Sequence, residues 1–171
     1  MARKGRGARR DGRDRRERRG GRRRRRGAPE DLEPYEGCPA DAELGLDPLA
    51  VGWLERNEDF ATGTTPAGFA DVLFEFCLEP HTVCAIRGTR PCPICGQRVE
   101  PVTLGDSTAQ LGAAEIRVLG EEDIFAAPDL IYHYVTEHAY RPPAVFVQAV
   151  LEGPQPGSAE HRALVSTLNR R

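Results

Sequence analysis

Two short stretches carry most of the information in this chain: Cys92-Pro93-Ile94-Cys95-Gly96 and His133-Tyr134-Val135-Thr136-Glu137-His138. Two cysteines separated by two residues in a tight turn present both sulfurs to one point, and Gly96 permits the close backbone turn that such a loop needs. Two histidines separated by four residues lie within the spacing of finger-type zinc sites. The pattern therefore predicts a Zn²⁺ site. Its ligands are Cys92, Cys95, His133 and His138.

The spacing of these residues also constrains the fold. Five steps along an ideal α-helix rotate by about 140°, so the last helical turn has to distort if both imidazoles are to reach one metal ion. In addition, 37 residues separate Cys95 from His133, whereas roughly a dozen are usual in a compact finger. The order of loop, hairpin and helix matches treble-clef and finger-like zinc modules, and we expect a long hairpin to fill the gap.

The Cys-x-x-Cys pair has two other interpretations. A redox dithiol usually has its first cysteine at the start of a helix that follows a strand, whereas Cys92 lies between two prolines in a loop-like run. The second interpretation is coincidence, because a histidine taken alone is more often a core residue than a metal ligand. The pairing with the cysteines is what favours His133 and His138 as ligands.

The remaining cysteines are predicted to have no metal role. Cys77, His81 and Cys84 could form a second half-site, but Cys77 lies on an apolar helical stripe and Cys84 in a strand-like run, where buried free cysteine is common. Cys38 falls in a predicted linker. The odd number of five cysteines, in a chain with no secretory signal, argues against a disulfide framework.

Apolar periodicity and Pro or Gly punctuation predict four helices and four strands. The predicted helices run from Asp47-Pro48 to near Asn57, from Thr65-Pro66 to Pro80, from Ala127-Pro128-Asp129 to His138, and from Pro142-Pro143 to Gly153-Pro154. The predicted strands are Thr82–Ile86, Arg98–Leu104, Glu115–Leu119 and Asp123–Ala126. Tyr134, Tyr140, Phe146, Phe69 and Phe76 are the expected core around the metal site.

This pattern predicts an α+β fold: a small zinc-stabilised domain with a short antiparallel sheet or hairpin and about four helices, preceded by a disordered Arg-rich tail. The predicted boundaries are a disordered Arg/Gly-rich tail over 1–27, an acidic linker over 28–43, a single zinc-binding domain over 44–153 and a flexible C-terminal tail over 154–171. The first segment is expected to be disordered because it has no large apolar residue to bury.

The formal net charge of −2 conceals two oppositely charged regions. Residues 1–27 contain 15 of the 24 basic residues and three of the 26 acidic ones, so they carry about +12 and the rest of the chain about −14. No stretch approaches 18 consecutive apolar residues, so no membrane partner is expected. We therefore expect a cytoplasmic protein.

The candidate metal site is expected to be structural rather than catalytic. Four protein ligands close a tetrahedral shell, whereas a hydrolytic zinc keeps one position open for water. Glu137 lacks the His-Glu-x-x-His spacing that places a base over the metal. The expectation is a non-enzymatic protein, with a metal-dependent hydrolase as the alternative.

The charge distribution separates two kinds of partner. The Arg-rich segment 1–27 is a candidate for non-specific phosphate binding to nucleic acid, or for binding the acidic surface of its own chain. It could also be a by-product of a GC-rich coding sequence. The third predicted helix carries Asp129 and Glu137 and no basic residue before Arg141, which is unsuited to a polyanion. A protein partner of unidentified nature is therefore favoured for the acidic body.

Several runs resemble a family of small, uncharacterised bacterial proteins. The runs are Arg87-Gly88, the Cys92–Cys95 turn, Ala114-Glu115-Ile116-Arg117-Val118, the stretch from Ala127 to Pro143, and Phe146 with Ala149-Val150. The likeness covers about residues 70–151, and it implies an α+β domain with a two-Cys, two-His metal site and no assignable activity. By analogy with small immunity proteins, the acidic body would also suit binding to a basic toxin.

Overall fold

The structure, a computed structural model, describes residues 27–170. Apart from Gly27, the predicted disordered segment 1–27 lies outside the described residues. The described part has an α+β fold, as predicted. Its helices are α1 (Pro39–Glu43), α2 (Phe69–Phe76), α3 (Ile131–His138), α4 (Ala144–Glu152) and α5 (Ala159–Leu168), with a 3₁₀ turn at Glu79–His81. No helix in this part of the chain is long and apolar enough to cross a membrane.

Six short strands form two sheets. They are β1 (Leu49–Ala50), β2 (Thr82–Val83), β3 (Val102–Leu104), β4 (Ser107–Ala109), β5 (Glu115–Leu119) and β6 (Ile124–Pro128). The larger sheet has the order β1-β6-β5-β2, in which β5 runs antiparallel to both neighbours and β1 pairs parallel to β6. The strands β3 and β4 form a separate antiparallel hairpin. The predicted short antiparallel sheet is therefore present, with one parallel strand added at its edge.

The core lies where α2 and α4 pack against each other and against β5. The five aromatic residues predicted for the core are all 2% exposed or less. Phe146 is central among them, because its ring makes edge-to-face contacts with the rings of Phe69 and Phe125. Such aromatic pairs add about 0.5–1.5 kcal/mol beyond the area they bury.

Three predicted elements match the structure closely. The strand over Glu115–Leu119 has the predicted bounds. The helix α2 occupies the centre of the predicted 65–80 segment, and its buried residues include Phe69, Leu73 and Phe76 from the apolar stripe. The helix α4 begins directly after Pro143 and ends before Gly153, as the flanking residues indicate.

The helix predicted over residues 47–57 is wrong. In its place, Leu49 and Ala50 form β1, and the chain continues without regular structure. Ala50, Val51 and Gly52 are all buried, so this segment is covered on every side rather than along one helical stripe. Gly52 has φ +71°, and a Cβ there would lie 3.1 Å from the side chain of Ile131. Pairing with β6 therefore overrides the local helical pattern.

The third helix begins later than predicted. β6 continues through Pro128, which pairs with Glu115, and α3 starts only at Ile131. The reason lies in Asp129, whose carboxylate was expected at the helix start. It instead accepts hydrogen bonds from the backbone N–H groups of Gly112, Ala113 and Ala114, at 2.8, 3.1 and 2.9 Å.

The structure also corrects the predicted linker over 28–43. This segment contains α1, and Tyr35, Cys38 and Asp41 within it are buried. Cys38 forms a disulfide with Cys84, at a Cα–Cα distance of 6.2 Å. The expectations of no disulfide framework, of a linker position for Cys38 and of a free core thiol at Cys84 are therefore wrong. The sequence offers no signal for this pairing, because 46 positions separate the two cysteines.

The predicted flexible tail over 154–171 contains a helix. Ser158 caps α5 by accepting a hydrogen bond from the backbone N–H of His161. His161, Val165 and Leu168 are buried, and α5 packs against β2 and β5. This stretch therefore packs against the sheet and is not a flexible tail.

Candidate metal centre

The Cys-x-x-Cys loop is a tight turn stabilised by its own backbone. The N–H of Cys92 donates to the carbonyl of Gln97, and the N–H of Gly96 donates to the carbonyl of Cys92, both at 2.8 Å. Gly96 has φ +75°, a left-handed conformation that favours glycine. The Cys92 sulfur also accepts hydrogen bonds from the backbone N–H groups of Cys95 and Ile94. The sequence folds this way because the glycine closes the turn after the second cysteine.

The two histidines lie on α3, whose last turn is wider than an ideal helix. The N–H groups of Ala139 and Tyr140 both donate to the carbonyl of Tyr134, five and six residues back. Ala139 is in the left-handed conformation and ends the helix. The predicted distortion of the last turn is confirmed. The turn is wider than in an α-helix, as in a π-helix.

The structure brings all four predicted ligands together. The Cys92 Sγ lies 3.4 Å from His138 Nε2, and the Cys95 Sγ lies 3.7 Å from His133 Nε2. The two Nε2 atoms are 3.2 Å apart. All four ligand atoms lie within 4.8 Å of one another, which makes this group a possible metal site.

The exposure of the ligands changes across the site. Cys92 is fully buried and Cys95 is exposed, while the two histidines are half-buried. Cys95 and His133 also line a surface cavity of about 510 Å³, so one side of the site reaches solvent. A metal ion would therefore connect the buried side of the loop to the end of α3.

The local electrostatics favour neutral donors in the absence of a metal. Burial raises the pKa of the Cys92 thiol, while the two backbone N–H groups act in the opposite direction. Burial, and then the neighbouring His138, lower the pKa of His133. A neutral imidazole is the form that binds metal. A bound divalent cation would reverse the effect on the thiols by favouring their thiolate form.

The long gap between the two half-sites is not one long hairpin. It contains the β3–β4 hairpin and the β5–β6 hairpin, the second of which leads directly into α3. The site therefore joins a loop before the first hairpin to a helix after the second.

The other candidate cysteines do not form a second site of the predicted kind. Cys77 is buried and donates a hydrogen bond to the carbonyl of Asp129 at 3.5 Å, which fits its predicted place in the core. Cys84 is bonded to Cys38, and the ring of His81 instead contacts the ring of His161 at 5.6 Å. The half-site considered for Cys77, His81 and Cys84 is therefore not assembled.

A comparison with protein families identifies the family of this chain. The model of a family described as a domain of unknown function (DUF7919) matches residues 28–151. The chain belongs to this family. The expected membership of an uncharacterised family is therefore confirmed. No curated protein and no solved structure matches the chain.

The DUF7919 match begins close to the first residue that the structure describes. It starts at residue 28, so it includes the segment that was predicted to be a linker. It contains all four candidate ligands and ends within α4, before α5. Residues 28–43 and the candidate metal centre therefore belong to one family domain.

Sequence reasoning missed a buried ion cluster in this domain. Arg117 is fully buried, and its guanidinium binds both carboxylate oxygens of Asp41, at 2.5 and 3.2 Å, and one oxygen of Glu115, at 2.9 Å. The Tyr35 hydroxyl donates to the other Glu115 oxygen at 2.7 Å. A signal was present, because Arg117 lies at the centre of a predicted strand between two apolar residues. Burial on both faces of β5 was not predictable from that pattern.

Proposed function

We propose that Cys92, Cys95, His133 and His138 bind one Zn²⁺ in a closed tetrahedral site with a structural role. The observation that carries this proposal is the set of ligand separations. Tetrahedral zinc with ordinary bond lengths places sulfur and nitrogen ligands about 3.6 Å apart and two nitrogen ligands about 3.3 Å apart. The corresponding distances here are 3.4 and 3.7 Å for sulfur to nitrogen and 3.2 Å for nitrogen to nitrogen.

The ligand types support zinc as the metal. Two thiolates with two imidazoles in tetrahedral arrangement are typical of structural zinc sites, whereas magnesium and calcium prefer oxygen ligands. When bound, the ion would supply bonds between the Cys-x-x-Cys loop and the last turn of α3. The fold has only short strands here, so such bonds would hold together parts of the chain that share little backbone pairing.

We further propose that the domain is a non-enzymatic interaction module whose partner is a positively charged protein. A four-ligand shell leaves no position for a reacting water, which supports the non-enzymatic role. The acidic excess outside residues 1–27 supports a basic partner through charge complementarity. Glu137 is exposed next to the ligand His138 and contributes to this acidic surface.

Metal analysis and Co²⁺ substitution of the full chain test the metal proposal. We expect about one zinc per chain, and a Co²⁺ form with the thiolate-to-metal absorption of a tetrahedral site with two sulfur ligands. The variants Cys92→Ser and His138→Ala should lose both signals. Glu137→Gln, which changes an exposed neighbour and no ligand, should keep them. Metal-free protein that melts at the same temperature as the zinc-bound form would contradict the structural role.

A further inference from the structure

A groove on the surface lies beside the first described residues. It has a volume of about 380 Å³. Its lining combines the aromatic rings of Trp53 and Phe60 with four exposed carboxylates. The carboxylates are those of Glu30, Glu55, Glu58 and Asp59. We call it the aromatic–acidic groove. It is separate from the candidate metal centre, since none of the four ligands lines it.

Three of the five carboxylates that line this groove are without partners in the described part of the chain, whereas Asp31 and Glu55 accept hydrogen bonds. Within residues 27–170, the side chains of Glu30, Glu58 and Asp59 form no hydrogen bond and no ion pair. No basic side chain of the described chain lines the groove. A concave surface with several uncompensated negative charges attracts a cation of extended shape.

The aromatic part of the groove is held in place. The indole N–H of Trp53 donates to the carbonyl of Ala126 at 3.0 Å, and the ring stacks on Tyr35 with centroids 4.7 Å apart. A fixed aromatic ring next to carboxylates suits a guanidinium group, which stacks on aromatic faces and also binds carboxylates through paired hydrogen bonds. Lysine fits this combination less well because its ammonium is a strongly hydrated point charge.

The chain itself carries such a ligand to the groove. The backbone N–H of Ala28 donates to the Glu55 carboxylate at 2.7 Å, so the described chain begins at the groove lining. Five consecutive arginines, Arg22–Arg26, precede Gly27 in the sequence. Five residues span at most about 18 Å when extended, so these side chains are within reach of the groove.

We propose that the aromatic–acidic groove binds the arginine tract Arg22–Arg26 of the same chain. A single exposed ion pair contributes little, but several pairs act together. The tract is joined to Gly27, so its binding is intramolecular and benefits from a high effective concentration. The interaction is electrostatic at an exposed surface, so salt weakens it. Bound in this way, the tract is less available to a polyanion.

The single tryptophan of the chain is a built-in probe for this contact. Trp53 lines the groove, so bound arginine side chains shield it from a soluble quencher. In the full chain, raising the salt concentration from about 0.05 to about 0.5 M is expected to increase acrylamide quenching of Trp53 roughly twofold. The response should not change over a hundredfold range of protein concentration, because the contact is intramolecular.

Two pairs of variants with matched charge locate the contact. Replacing Arg22–Arg26 by serine should abolish the salt response, whereas replacing Arg3, Arg6, Arg9, Arg10 and Arg13 by serine should keep it. Replacing Glu55 and Glu58 by Gln and Asp59 by Asn should also abolish it. The matched control replaces Glu121 and Glu122 by Gln and Asp123 by Asn in a different acidic cavity, and should keep the response.

Several results would overturn the proposal. One is a salt response that is the same in both arginine variants or in both carboxylate variants. Another is a response that grows with protein concentration, since the groove would then bind a second copy. A complete lack of salt response in the wild-type chain would also overturn the proposal. Circular dichroism and urea unfolding of each variant show whether the fold is retained, so these results do not depend on the metal proposal.

Discussion

The Asp129 carboxylate connects the loop before β5 to the residues that lead into α3. It accepts three backbone N–H groups, from Gly112, Ala113 and Ala114. Because His133 follows four residues later, this contact helps to place the first histidine ligand. Asp129 is therefore a positioning residue for the proposed metal site and is not one of its four candidate ligands.

The stability of the domain should depend on pH through Asp129. Burial raises its pKa to about 6, although the three N–H groups act in the opposite direction. A carboxyl group whose pKa is higher in the folded state stabilises that state when protonated. Stability should therefore fall as the pH rises from about 4 to about 6, by on the order of 3 kcal/mol. Urea unfolding at several pH values measures this. Asp129→Asn should flatten the dependence, and an unchanged profile in that variant would refute the assignment.

Substitution of the buried Arg117 should lower the free energy of unfolding far more than substitution of an exposed arginine. Arg117→Met would leave the buried carboxylate of Asp41 and the half-buried carboxylate of Glu115 without their cation. Breaking a buried pair in this way costs about 3–5 kcal/mol. Arg87→Met is the control, since Arg87 is exposed, and it should change the free energy of unfolding by less than about 0.5 kcal/mol. Equal effects of the two substitutions in denaturant unfolding would refute the role of the cluster.

At the level of elements, α5 is anchored through an imidazole. The His161 Nε2–H donates to the carbonyl of Arg117 at 3.2 Å, while the buried Nδ1 has no partner. The ring also contacts the rings of Phe76 and His81. A protonated ring would bury a charge against a second imidazole.

The docking of α5 should weaken in acid. Burial, and then His81, lower the pKa of His161 in the folded state, so the unfolded chain binds the proton more readily. Stability should therefore be independent of this group above a pH of about 6.5 and decrease below it. Hydrogen exchange of residues 159–168 between pH 5 and pH 7 measures the effect. His161→Gln keeps a donor and removes the titration, so its exchange should vary less; the same variation in both proteins would count against the assignment.

The disulfide joins the residue before α1 to the residue after β2. Replacing both Cys38 and Cys84 by serine should lower the free energy of unfolding by roughly 2–4 kcal/mol, because the bond closes a loop with a sequence separation of 46. We expect faster hydrogen exchange over residues 30–50 and unchanged exchange in α4. The zinc content should stay the same, since the proposed zinc site uses other cysteines. Uniformly faster exchange throughout the domain would contradict this local role.

For the whole molecule, metal binding and folding should be linked. A ligand that binds only the folded state adds about 2.7 kcal/mol at a free concentration of 100 times its Kd. The melting temperature should therefore rise steadily with buffered free zinc and fall on chelation. Cys95→Ser should show a smaller shift, whereas Glu137→Gln should match the wild type. A melting temperature that does not vary with free zinc would refute the linkage.

Much of the local structure was predictable from the chain alone. The stripe over α2, the apolar run of β5 and the Pro and Gly residues that bound α4 each depend on neighbours within about a dozen positions. The four candidate ligands were predictable for the same reason, since each pair is a short motif. These features follow from side-chain periodicity and backbone preference, which act over short stretches.

Features that depend on distant partners were decided by the tertiary structure. Residues 49–50 form a strand rather than a helix because β6 offers them a pairing edge, and Asp129 caps a loop rather than a helix because that loop lies beside it. The Cys38–Cys84 bond, the burial of Arg117 and the docking of α5 have the same origin. Their free energies come from contacts between segments far apart in sequence, which a local pattern does not encode. The candidate metal centre combines both levels: the two half-sites were predictable, and only folding brought their four donor atoms within 4.8 Å of one another.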